Sequence, residues 1–188
     1  MVRQFAALSI PDEIGQALAR RQDGLAGARW RPLDALHVTL RFYGELREDI
    51  ARDLDAELVT VGARPFDMVL QGAGSFADDS GVNAVWAGVA ETPALRQLAR
   101  ACEMAGRRAG LKPDLRHWRP HVTLAYLRGA DPAAVAHWIQ ANNLLKSPPI
   151  RVERFGLFSS FLGKARAHYR LEAEYPLPDR PPKPTPAY

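Results

Sequence analysis

The chain has 188 residues, 47% of them hydrophobic and 24% charged, a composition that excludes a fibrous repeat or wholesale disorder and leaves room for one domain or two closely packed lobes. Of its 25 basic residues 21 are arginine, the net charge is +4 and the isoelectric point is about 9.5, which suits phosphate or nucleic-acid ligands and equally a GC-rich coding composition. The single cysteine, Cys102, excludes an intramolecular disulfide framework, and with neither a transmembrane run nor a basic-then-apolar leader the expected compartment is the cytoplasm.

Residues 3–10 alternate as a first strand, and Pro11-Asp12-Glu13 opens a helical pattern through Ile14, Leu18 and Leu25 that Trp30-Arg31-Pro32 ends. A strand then runs from His37 through Arg41-Phe42-Tyr43 to Gly44, and Ile50, Leu54 and Leu58 mark a helix over 48–61. Strands at 66–70 and 82–89 surround the Gly72/Gly74 and Asp78-Asp79-Ser80-Gly81 turns and are expected to pair as a hairpin with a long loop. Pro93 stands near the start of a helix to about Ala109, with Gly110 as its stop. Another strand leads from His121 through Tyr126, and Asp131-Pro132 begins a helix to about Asn142. Strands over 150–159 and 168–175 precede a Pro-rich tail, 179–188, expected to be disordered or loosely draped.

Within this order one tetrapeptide occurs twice, as His37-Val38-Thr39-Leu40 and as His121-Val122-Thr123-Leu124, 84 positions apart. Strand side chains alternate faces, so each His shares a face with the Thr two residues on, while Val and Leu point the other way. The sequence of elements around the first copy is partly echoed after residue 93, which reads as an internal duplication with a pseudo-two-fold axis and a groove between two lobes. Two imidazoles and two hydroxyls in one groove suit acid–base chemistry on a phosphate: one His takes a proton, the other gives one, and the hydroxyls donate to non-bridging oxygens. Such a pair predicts a bell-shaped pH–rate profile.

Other side chains are candidates by position. Arg41 shares the strand face of His37, and Arg119 that of His121, so either can offer a fork to a phosphate or stand as a solvated surface charge. Phe42, Tyr126 and Trp86 are candidates to stack on a terminal base, with core packing the simpler reading for Phe42 and Trp86. His117 shares the parity of His121, but no third metal ligand stands at usable spacing, and a solvated imidazole is favoured.

The paired HxTx motifs, with Phe5-Ala6-Ala7-Leu8-Ser9-Ile10-Pro11, Leu36 to Gly44, Val85-Trp86-Ala87-Gly88-Val89, Arg119 to Ala125 and the stretch 155–169, resemble the 2H phosphoesterases over residues 3–178. Within them the chain is similar to the RNA 2′,3′-cyclic phosphodiesterases historically called 2′-5′ RNA ligases. The resemblance implies an α+β, bilobal, duplicated fold: two antiparallel sheets with outer helices and one motif per lobe, in a single domain of intertwined lobes over 1–178. It implies hydrolysis of RNA 2′,3′-cyclic phosphate ends to 2′-phosphates without metal or cofactor, by a monomer acting on RNA, tRNA fragments among the candidates, and not on membranes. His37 is then the proton donor, His121 the acceptor, and Thr39 and Thr123 hold the phosphate; Ser160 and Arg166 fall in the matching C-terminal stretch as groove residues. Tyr126 and Ser159-Ser160 depart from the family pattern, which carries Arg and Glu-Ser there. The alternatives left open are reversible 2′-5′ ligation, a small cyclic nucleotide as substrate, and a non-catalytic RNA-end-binding module.

Overall fold

The computed structural model describes residues 2–79, 81–162 and 167–178. Its elements run β1 (Val2–Ser9), α1 (Asp12–Ala19), β2 (Ala28–Trp30), β3 (His37–Leu46), α2 (Glu48–Val59), β4 (Phe66–Met68), β5 (Leu70–Asp78), β6 (Gly81–Val89), α3 (Pro93–Arg108), β7 (His121–Leu127), α4 (Pro132–Asn142), β8 (Ile150–Val152), β9 (Arg154–Leu162) and β10 (Ala167–Pro176). Local chemistry sets the helix ends. Thr92 and Asp131 cap α3 and α4, each followed by Pro at the first helical position, and Gly110, at φ +82°, takes the left-handed turn that stops α3.

Among the described residues the strands form one eight-stranded antiparallel sheet in the order β10-β9-β1-β3-β7-β6-β5, with β2 also on β7, and a two-stranded sheet of β4 and β8. The large sheet is two four-stranded halves joined by a single backbone pair, Val38 opposite Val122. The equivalence of the halves is metrical: α2, β4 and β5 recur at the same 84-residue spacing as the motifs, as α4 (beginning at Pro132), β8 (Ile150–Val152) and β9 (Arg154–Leu162). The repeat therefore begins again at β6, not at residue 93.

The two repeats exchange strands. β9, from the second repeat, lies beside β1, while β5, from the first, lies beside β6, and β4 and β8 pair across the repeats. The hairpin expected between 66–70 and 82–89 is accordingly replaced by β5 on β6, with β4 on β8. What hid β5 is its composition: Gln71, Gly72, Gly74 and Ser75 weaken strand propensity, yet Gly74 is required because a Cβ there would stand 2.3 Å from Trp86 Cη2. The single strand expected over 150–159 is two strands in two different sheets. Helix α1 stops at Ala19 rather than continuing to Leu25, and β2, three residues long, gave no alternation to read.

One face of the sheet carries the core. Ala6, Leu8, Val38, Leu40, Val122 and Leu124 join Leu18, Leu54, Leu58, Leu95, Leu98, Cys102, Val135 and Trp138 of the helices in one buried cluster. The opposite face carries Phe5, His37, Thr39, His121 and Thr123, none of which belongs to that cluster. No helix among the described residues is long and apolar enough to cross a membrane.

Candidate active site

Pairing of Val38 with Val122 in antiparallel sense sets His37 across from Thr123 and Thr39 across from His121. Each histidine thus stands across from the threonine of the other motif, and the two histidines occupy diagonal positions, whose backbones are roughly 7–8 Å apart in an ordinary ladder. In both halves the register slips at the fourth motif residue, Leu40 against Ala6/Ala7 and Leu124 against Val85/Trp86. Such bulges bend the strands away from each other beyond the motif and open the groove.

Each ring is held by the same device. His37 Nδ1 donates to the carbonyl of Ala35 at 3.0 Å, and His121 Nδ1 to that of Arg119 at 2.7 Å. A carbonyl only accepts, so Nδ1 carries the hydrogen in both neutral rings and Nε2 is left with its lone pair for the groove. Aromatic rings wall them in: Phe5 at 4.8 Å and Tyr169 edge-on at 5.2 Å against His37, Phe76 edge-on at 4.8 Å and Trp86 at 6.0 Å against His121. Burial lowers the proton affinity of both; that of His37 falls to about 4, with the charge of Arg31 and the other histidine adding to the effect and the Ala35 bond opposing it. For His121 burial also dominates, Arg119's charge adds, and its carbonyl bond opposes. The hydroxyls of Thr39 and Thr123 have no protein hydrogen-bond partner among the described residues and line the same groove.

That groove, about 680 Å³, runs from Tyr169 and Arg31 past the four motif residues to Arg96 and Arg100 of α3 and to Arg116, His117 and Arg119. Its size is that of a small-molecule site. Trp118 clasps the halves together, its Nε1 donating to the Thr39 carbonyl at 3.0 Å.

The remaining candidates fall out as follows. Arg119, exposed, lies over the Trp86 ring at 5.8 Å without a carboxylate partner among the described residues and is free to reach a ligand. Arg41 is committed elsewhere: its guanidinium pairs with Glu103 and with Asp114 at 3.1 Å, and donates to the carbonyls of Phe42 at 2.6 Å and Lys112 at 2.9 Å. With a side chain only 9% exposed, it clamps the 112–116 loop to β3 instead of offering a fork to phosphate. Phe42 lines the groove beside Phe5, with Arg3 over its ring at 5.3 Å, and Tyr126, 40% exposed, lines the opposite wall. Trp86 is not a core residue; it stands on the groove side between His121 and Gly74. Ser160 faces Tyr169 in the β9–β10 ladder and does not line the groove, and Arg166 lies outside the described residues, as does the tail. Sequence reasoning missed Arg31, Phe5, Phe76 and Tyr169. Phe5 and Tyr169 lay inside the matching stretches, whereas Arg31 read as an element boundary.

Among the described residues no three His, Cys, Asp or Glu side chains converge on one point.

Residues 10–160 match the model of the 2′-5′ RNA ligase superfamily. The chain belongs to that superfamily. Among its relatives are proteins named RNA 2′,3′-cyclic phosphodiesterase: one from Methanothermobacter thermautotrophicus, 28% identical over 68% of this chain and 72% of its own length, and one from Escherichia coli, 28% identical over 89% and 92%. Among solved structures, Escherichia coli LigT complexed with 3′-AMP superposes with a TM-score of 0.75 at 27% identity, covering 94% of this chain and 98% of that one. TT0787 of Thermus thermophilus, at 23% identity and a TM-score of 0.76 over 93% and 97%, shares the fold. The superfamily match spans both HxTx motifs, with all four motif side chains of the groove.

Proposed function

We propose that this protein hydrolyses RNA 2′,3′-cyclic phosphate ends to 2′-phosphates by a pair of histidines. The observation that carries the reading is the cross-paired quartet, in which two Nε2 lone pairs and two unpartnered hydroxyls face one groove. Its support is the name borne by the relatives and the 3′-AMP in the neighbouring LigT structure.

Water attacks phosphorus in line with the bond to the 3′-oxygen. His121 Nε2 takes the water proton as the new P–O bond forms; the P–O3′ bond breaks, and His37 Nε2 delivers a proton to the leaving 3′-oxygen. The products are a 2′-phosphate and a 3′-hydroxyl, with His121 protonated and His37 neutral until solvent exchanges the protons. Thr39 and Thr123 donate to the non-bridging oxygens, where charge grows in the transition state. The donor role of His37 comes from the family resemblance. Burial chiefly, with neighbouring positive charge, holds this ring neutral, and the negative charge of a bound substrate favours its protonated form. With an RNA 5′-hydroxyl in place of water, the same step in the same direction would form a 2′-5′ bond as P–O3′ breaks; abundant water favours hydrolysis.

The extension of the groove past the quartet to Arg100 and Arg119, which have no carboxylate partner among the described residues, favours an oligomer over a mononucleotide; Arg96 and Arg116 beside them are paired with Glu91 and Asp114. The test is incubation of an RNA oligomer ending in a 2′,3′-cyclic phosphate, with EDTA present, and identification of the product by phosphorus NMR. A 2′-phosphate is expected, with His37→Ala and His121→Ala each losing nearly all turnover while remaining folded. A 3′-phosphate, or near-normal turnover by His37→Ala, would overturn the assignment, and tight salt-sensitive binding without product would make this an RNA-end-binding module.

A further inference from the structure

Arg31 is the buried charge that the scheme above leaves unused. It follows β2 at the fork where β2 pairs with β7 at residues 125–127 and β3 meets β7 at Val122, so it sits beside Thr123 and the His37 ring. Its backbone is pinned on both sides: its amide donates to the Leu124 carbonyl at 2.8 Å, and its carbonyl accepts from Gln22 Nε2 at 2.9 Å. The residue is 8% exposed, yet it lines the groove. Its guanidinium lies over the rings of Tyr126 at 5.5 Å and Tyr169 at 5.2 Å.

What the guanidinium lacks is an anion. No carboxylate pairs with it among the described residues, and its Nη2 is buried with no hydrogen-bond partner. Two aromatic faces hold a cation in place, but they do not satisfy its N–H groups. Arg41 supplies the contrast within the same molecule: where a buried arginine serves structure, two carboxylates and two carbonyls surround it. A buried arginine without such partners is costly for a folded chain to retain. The cost is offset when an anion enters.

We infer that Arg31 is a substrate-binding residue of this site, its free N–H groups donating to a non-bridging oxygen of the cyclic phosphate at the His37 end of the quartet, with Tyr126 and Tyr169 fixing the plane of the fork. The inference rests on the groove being a phosphodiester site, as proposed above. It also gives the two equivalent histidines unequal surroundings: the guanidinium beside His121, that of Arg119, is exposed and lies over a single ring, Trp86, instead of being buried between two. The charge of Arg31 opposes a proton on His37, adding to the larger effect of burial. A bound phosphate neutralises that effect, so loading of the acid is coupled to arrival of the substrate.

The experiment uses inorganic phosphate as a probe that requires no turnover, with the His37 ring followed by NMR titration in wild type, Arg31→Gln and Arg31→Lys, and thermal unfolding as the control for folding. In wild type, saturating phosphate should move the His37 titration midpoint upward. In Arg31→Gln the midpoint of the empty site should already be raised, phosphate should bind about tenfold or more weakly, and its effect on His37 should largely vanish. Arg31→Lys, which keeps the charge and loses the fork, should recover part of the binding, and it serves as the test if Arg31→Gln does not fold. On a cyclic-phosphate-ended RNA, kcat/KM of Arg31→Gln should fall about tenfold to hundredfold. Unchanged phosphate affinity and an unmoved His37 midpoint in a folded variant would refute the inference while leaving the phosphodiesterase reading intact. Loss of phosphate binding in a protein that hydrolyses no RNA end would uphold Arg31 and remove the function.

Discussion

Acid should weaken this fold through His37, and the amount follows from the site. Folding lowers the proton affinity of the ring from 6.5 to about 4, chiefly by burial. Between those values the unfolded chain binds more protons than the native one, so the stability contributed by the neutral ring is complete above pH 6.5 and is lost as the pH falls toward 4. At pH 5 linkage arithmetic gives about 2 kcal/mol for a fully buried group. The ring edge that faces the groove is wetted, and screening there reduces the expected loss to about 1 kcal/mol. Urea unfolding followed by tryptophan fluorescence at pH 7 and pH 5, in wild type and His37→Asn, isolates the term, because His121 titrates in both proteins. With an m-value of about 2 kcal/mol/M, the wild-type midpoint should drop by about 0.5 M more than that of the variant. Equal drops in the two proteins would show that His37 is not held neutral by its surroundings, and would undo the electrostatic account of the site.

Three further outcomes follow from named contacts. Gly74→Ala should destabilise the fold by about 1–3 kcal/mol and reduce turnover, since the new methyl displaces the Trp86 indole that packs against His121; urea midpoints and kcat report the two effects, and wild-type values of both would contradict the packing described. Arg41→Met should cost about 1–3 kcal/mol by removing the buried cation that Glu103 and Asp114 share, which leaves them only Arg107 and Arg116, and combining it with Glu103→Gln should recover part of the loss in a double-mutant cycle of unfolding free energies. Because burial pushes both histidines toward lower proton affinity, the bell of kcat/KM against pH, which reports the free enzyme, should centre below 6.5, and that of kcat, with the anion bound, should lie at higher pH.

The centre of the site was legible because it is local: a His and a Thr two residues apart on one strand, written twice, need only the alternation of strand side chains to be grouped. Helices α2, α3 and α4 were legible from periodicity and from Pro93 and Asp131-Pro132. Strand exchange was not, because pairing of β5 with β6 and of β9 with β1 is a property of the whole sheet, and Gly72 and Gly74 conceal β5 for the sake of an indole distant in sequence. Arg41 misled for a related reason. Its parity pointed correctly to the groove side, but Glu103 and Asp114, which occupy it, come from α3 and the loop beyond. Arg31 could not be read at all from neighbours in sequence, since the rings that flank it stand at positions 126 and 169.

The strand exchange bears on how such a molecule can be taken apart. Cut between β5 and β6, the chain gives two fragments, neither of which can complete its own half-sheet, and each would carry one histidine with the hydroxyl it needs on the other fragment. Mixed together, the fragments have every strand and all four groups between them, so the fold has the form of a dimer of one short repeat whose two copies interlock and have been joined end to end. The strand order shows two lobes, yet one unit of cooperativity is expected: neither lobe can melt without taking a strand from the other, and an opening that separates Val38 from Val122 also takes apart the His/Thr quartet.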